Sequence, residues 1–310
     1  VRTAFVQSLI NEAELDQRII LLTGDLGFMA LEPFRDRFPD RFYNMGVAEQ
    51  NMIGVATGLA EAGFIPFCYS IVPFAVLRPY EFIRNGPVLH GLPVRIVGMG
   101  GGFEYGHAGP THYGVEDVGA MRMLQDMAVI APADPGQVPQ ALSALREWTG
   151  PAYLRLGKND HLSVPGLNGR FELGRVQEVR QGSDLVIFAM GGIAASVVEA
   201  ADQLELEGIS AGVAVISSIN PPPGDDVVGL ISNHRLGVTV EAHVSVGGIG
   251  SLVAEIIADN GARCRLLRLG VERPFSGRSG SEQYLHQAHG LSPKAVAARI
   301  AAWSGAVSVV

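Results

Sequence analysis

Short, mostly apolar runs alternate along this chain with longer stretches in which apolar and polar residues recur at helical spacing. Residues 19–23, 65–69, 93–98, 128–131 and 152–156 are runs of the first kind. Continuous apolar strands of that length are expected in a parallel sheet covered on both faces. Between them the spacing predicts helices over residues 3–14, 49–62, 74–90, 117–124 and 135–147, with Pro79 kinking or interrupting the third. The alternation weakens over 157–183, where Pro165, several glycines and scattered polar residues predict a linker. It then resumes, with strands over 185–189, 211–216, 236–241 and 264–269 and helices over about 193–207, 249–259 and 293–302.

The expected fold class is therefore α/β, with two doubly wound domains built on mostly parallel sheets. Residues 1–160 form the first domain, 161–183 the linker and 184–310 the second domain. A length of 310 residues suits two domains of about 150 residues each. The 39 glycines and 18 prolines are spread along the chain, as many short loops require, and no solenoid repeat is present.

Composition narrows the function classes. The chain is 47% hydrophobic and 17% charged, with a net charge of −8 and no basic cluster, which argues against nucleic acid as a partner. No apolar run reaches the ~20 residues needed to cross a bilayer, so no membrane is expected either. Cys68 and Cys264 stand far apart in apolar surroundings without CxxC spacing. They read as buried thiols in a reducing compartment, and with no signal-like N-terminus the expected location is the cytoplasm.

The candidate chemistry starts at Gly46-Val47-Ala48-Glu49-Gln50-Asn51. Glu49 opens an apolar helical stretch that holds no other charge until Glu61. An acid in a first turn commonly complements the helix dipole, and that is one reading. The other is chemical: a carboxylate buried at the mouth of an apolar helix is held toward its protonated form. Similar alternatives apply to Phe74 (core or aromatic pocket), to Asp25 at a strand end (turn, cap or site), and to His112, which follows Gly109-Pro110-Thr111 in a loop.

The run from Arg41 to Met52 resembles the pyrimidine-binding domain of transketolases. So do Gly109-Pro110-Thr111-His112, Glu116-Asp117 with Met121-Arg122, the 129–134 run and Gly150 to Gly157, in order and at about the family spacing. Val240-Glu241-Ala242-His243 and Gly247-Gly248-Ile249-Gly250-Ser251 resemble the transketolase C-terminal domain. The resemblance spans essentially the whole chain but only half of a complete transketolase. It implies the small subunit of a split enzyme that transfers a two-carbon ketol unit from a ketose donor and depends on thiamine diphosphate. Glu49 is then the carboxyl that hydrogen-bonds N1′ of the cofactor pyrimidine, and Phe74 the ring that stacks on it. Ile71, Asp25 and Leu26 match further positions around the cofactor rings, an aliphatic residue at 71 being a departure from an aromatic pocket. His112 matches a catalytic histidine that faces the substrate, and His107 is a candidate substrate neighbour.

The half that binds the diphosphate through Mg2+ or Ca2+ is missing. Its Gly-Asp-Gly motif is only superficially echoed by Gly24-Asp25-Leu26, so the metal ligands are expected on an N-terminal-half partner chain in an α2β2 assembly. Glu241, His243 and the 247–251 turn are expected to be structural; an anion on the backbone N–H groups of that turn is the alternative. Four further positions depart from the family pattern. Ala108 stands where an Asp reads the acceptor hydroxyl, while Gly100, Met29 and Lys158 replace a His, a Ser and an Arg that hold a sugar phosphate. The expectation is an acceptor that is an unusual, non-phosphorylated aldehyde or a lipoyl or acyl group on a carrier protein. Alternatives are the beta subunit of a 2-oxo-acid dehydrogenase-type decarboxylase and a non-catalytic interface subunit.

Overall fold

A computed structural model describes residues 1–307. A seven-stranded sheet contains β1 (Ile19–Thr23), β2 (Phe42–Asn44), β3 (Ile65–Ile71), β4 (Arg95–Met99), β5 (Ala128–Ile130) and β6 (Ala152–Leu156). The second sheet has five strands: β7 (Gln177–Arg180), β8 (Leu185–Met190), β9 (Ala211–Val215), β11 (Leu236–Val244) and β12 (Arg265–Val271). The short strand β10 (Ser218–Asn220) leaves the second unit and pairs antiparallel with β5, completing the first sheet in the order β10-β5-β6-β4-β3-β1-β2. The second sheet runs β12-β11-β8-β9-β7, parallel except where β7 meets β9.

Every residue of β1, β4, β6, β8 and β9 is buried, which is why these strands read as mostly apolar runs, with Arg95 on β4 and Arg155 on β6 as buried exceptions. One apolar cluster links the helix Glu49–Glu61, through Met52 and Ile53, to Cys68, Ile96 and Val129 and on to Phe188, Ile216 and Ile256 of the second unit. Each such fully buried aliphatic side chain contributes about 1.5–3 kcal/mol.

The units are also joined by polar contacts. Arg155 on β6 pairs with Asp117 (Nε to Oδ2, 2.9 Å) and donates through Nη2 to the carbonyls of Gly114 and of Ala242 on β11, at 2.8 and 2.9 Å. The Gly119 N–H donates to Nε2 of His243 at 3.2 Å.

Several expectations change. The 74–90 helix is broken into Val72–Val76, Tyr80–Ile83 and a wide turn at Arg84–Val88, with Pro79 at the first break and Pro87 inside the last segment. The 161–183 stretch carries β7, whose polar sequence suits an edge strand. Cys68 is buried, but Cys264 is partly exposed just before β12, so only one of the two expected buried thiols is fully enclosed. No helix among the described residues is long and apolar enough to cross a membrane.

Candidate active site

Glu49 is the first residue of its helix and is 1% exposed. It does not cap that helix: the N-cap is Ala48, with no side-chain hydrogen bond at the helix start. Its oxygens are engaged from elsewhere. Oε1 accepts a 2.9 Å hydrogen bond from Ser70 Oγ on β3, and Oε2 pairs with the guanidinium of Arg78. The end of β1 presses against the same carboxylate. A Cβ on Gly24 would lie 3.1 Å from Oε1, so a small residue there keeps the approach open. A buried charge needs such partners, because its desolvation is costly.

From Arg78 a row of aromatic and cationic groups leads away from Glu49. The Arg78 guanidinium carbon lies 4.7 Å above the Phe74 ring centre. Phe74 meets His112 edge-on at 5.0 Å, and His112 lies 6.4 Å from Tyr105. Lys158 places its ammonium 4.0 Å over the Tyr105 ring. Two short 3-10 turns, Gly106–Ala108 and Pro110–His112, hold His112, with Gly109 between them at φ 86°, where glycine is favoured. A bridge between Gly102 and Gly114 closes the base of this loop. Thr111 Oγ1 lies 2.9 Å from His112 Nδ1, which fixes the ring and leaves Nε2 as its second polar atom.

The other sequence candidates fall as follows. Asp25, at φ 58°, forms an exposed turn after β1 and accepts a 2.7 Å hydrogen bond from Asn44 Nδ2. The half-buried Leu26 accepts Thr23 Oγ1 on its carbonyl at 2.8 Å. Ile71 ends β3 and is the N-cap of the helix that carries Phe74. His107 is exposed on the His112 loop and stands outside the row of rings. Sequence reasoning missed Ser70, Arg78 and Tyr105. Arg78 left one signal, as the only charge between Ile65 and Pro79.

The positions that depart from the family pattern take definite forms. A Cβ on Gly100 would come 2.2 Å from Tyr105 Cδ2, so the phenol ring occupies the space a side chain at 100 would need. Met29 is 94% exposed. Lys158 is held by the Tyr105 ring, by the Glu104 carbonyl 3.4 Å from Nζ, and through its own N–H, which donates to Glu104 Oε2 at 2.6 Å.

Glu241 closes the glycine-rich turn. Its carboxylate accepts the N–H groups of Ile249 and Gly250 at 2.8 and 2.9 Å, so the helix start already holds an anion of the chain itself. Burial pushes Glu241 up to about 7 against these stabilising bonds. His243 is held below its usual value, chiefly by burial.

The surroundings of Glu49 fit an aminopyrimidine. The Arg78 guanidinium, a flat group rich in N–H, stacks on Phe74 and bonds Glu49 at once. Those are the two contacts a planar heterocycle would make there. Among the described residues no group of three or more His, Cys, Asp or Glu could hold a metal ion.

Residues 1–161 match the model of the transketolase pyrimidine binding domain, and residues 174–296 that of the transketolase C-terminal domain. The chain belongs to the transketolase family. It is 34% identical over 297 residues to the 6-deoxy-6-sulfo-D-fructose transketolase subunit of Clostridium sp. strain MSTE9, covering 96% of this chain and 92% of that protein. It is 30% identical over 292 residues to an apulose-4-phosphate transketolase subunit of Actinobacillus succinogenes, covering 94% and 93%. Among solved structures, a split gene transketolase described as an inactive beta4 tetramer superposes with a TM-score of 0.87 at 34% identity, covering 96% of this chain and 95% of that one. Membership of the transketolase family implies transferase activity and dependence on thiamine diphosphate.

Proposed function

We propose that this chain is the pyrimidine-side subunit of a split transketolase, moving a two-carbon ketol unit from a ketose donor to an acceptor once an N-terminal-half partner supplies the diphosphate and metal site. The observation that carries this reading is Glu49, buried beside Phe74, with its carboxylate reached by a flat N–H-bearing group. Thiamine diphosphate would supply the carbon centre that takes up the ketol unit. Glu49 would bond its pyrimidine nitrogen in place of Arg78, and Phe74 would stack on the ring. His112, held at Nδ1 by Thr111, would present Nε2 to the substrate oxygens and exchange a proton there. Mg2+ or Ca2+ would sit on the partner chain, and the assembly would be α2β2. The inactive tetramer of beta chains described for the split-gene relative supports a need for that partner.

The acceptor end supports a substrate without a phosphate. Lys158 stands at the far end of the row, where Tyr105 and Glu104 already engage it. Tyr105 also fills the space beside Gly100, and Ala108 offers no hydrogen-bonding side chain. The acceptor would then be an aldehyde with an uncharged tail, or a lipoyl or acyl group on a carrier. The reconstituted complex should turn over unphosphorylated aldehydes faster than the matching aldose phosphates. A strong preference for the phosphates would contradict this reading.

A further inference from the structure

One side chain, Arg78, makes both of the contacts that a cofactor ring would make with Glu49 and Phe74. Its guanidinium pairs with Glu49 Oε2 and lies over the Phe74 ring, 4.7 Å from the ring centre. A guanidinium suits both contacts: it is planar, always charged, carries N–H donors along its edge and stacks on aromatic faces.

The two members of this ion pair are not equivalent. Glu49 is 1% exposed at the start of its helix, and Ser70 Oγ on β3 holds its other oxygen at 2.9 Å. The position of the carboxylate therefore does not depend on Arg78. Arg78 has a side chain 37% exposed and stands in the break between the helices Val72–Val76 and Tyr80–Ile83, next to Pro79. From there its charged head can turn into water while both helices stay folded. Leaving costs Arg78 little, but it strips a buried carboxylate of its charge partner. The pair thus opens at low cost only when another donor takes Oε2.

We infer that Arg78 is a latch on the pyrimidine site: in the free chain it fills the place of the aminopyrimidine and keeps Glu49 paired, and it swings out when the cofactor ring enters. The inference rests on the reading of Glu49 and Phe74 as the pyrimidine site. A latch closed about nine-tenths of the time weakens apparent affinity about tenfold, because only the open fraction binds.

Thiamine diphosphate with magnesium, titrated by calorimetry into the complex with the N-terminal-half partner, tests it on wild type and Arg78→Ala. The variant should bind about tenfold tighter. Its free chain should melt about 5 °C or more below wild type, because Glu49 loses a partner, while the two cofactor-loaded complexes should melt alike. A purely structural Arg78 would instead lower both melts and weaken binding. Arg78→Lys keeps a charge for Glu49 without the flat face and stands in if Arg78→Ala does not fold; it should bind about threefold tighter, as a partly closed latch. Equal or weaker binding by the folded variant, in a complex whose wild type binds, would overturn the latch and leave the pyrimidine site standing. A wild-type complex that binds no cofactor would overturn both.

Discussion

Ser70 Oγ donates a 2.9 Å hydrogen bond to Glu49 Oε1, tying the middle of the first sheet to the first turn of the helix that Glu49 opens. The bond matters because it comes from a strand buried through its centre rather than from the helix itself. A first-turn acid that merely complemented the dipole would face solvent. This one is fixed in place by β3, with the end of β1 packed beside it.

Glu49→Gln keeps the size of the side chain and an oxygen for Ser70, but an amide cannot act as the acid. In the reconstituted enzyme, turnover should fall about 10²–10⁴-fold, the usual contribution of a positioned acid or base. Steady-state kinetics checks this, and near-unchanged turnover would remove Glu49 from the reaction.

Phe74 contributes stacking rather than chemistry. Phe74→Ala should weaken cofactor binding by about 0.5–1.5 kcal/mol, roughly 2–12-fold in Kd, with a smaller effect on turnover at saturating cofactor. Titration of thiamine diphosphate into the assembled complex reads both effects.

His286 predicts how stability responds to acid. Its folded value is lowered from 6.5 to about 4, so its contribution to stability is present above pH 6.5 and is lost as pH falls toward 4. The loss is at most about 3 kcal/mol. Urea unfolding at pH 7, 5.5 and 4 should show this decline, and His286→Asn should flatten it.

The parts of the fold that could be read from sequence are those whose side chains are buried on both faces. β1 and β6 coincide with their apolar runs at both ends, and the helix Ile249–Asp259 follows its apolar spacing. Strands β2, β7 and β10 were not legible. They are three or four residues long, stand at or near sheet edges and carry polar residues such as Asn44, Glu178 and Asn220. At the site, the sequence pointed to Glu49, Phe74 and His112 through local motifs. Ser70, Arg78 and Tyr105 act through contacts made in space. Tyr105 in particular is explained by the room that Gly100 leaves, which no local pattern displays.

The central claim is that the Glu49 pocket is half of a cofactor site completed by another chain. Calorimetry of thiamine diphosphate with magnesium, run on this chain alone and on its mixture with the N-terminal-half partner, tests it most directly. The account predicts binding in the mixture only. Tight binding by this chain alone would place the diphosphate site here and contradict it, as would a mixture that forms the complex yet binds no cofactor.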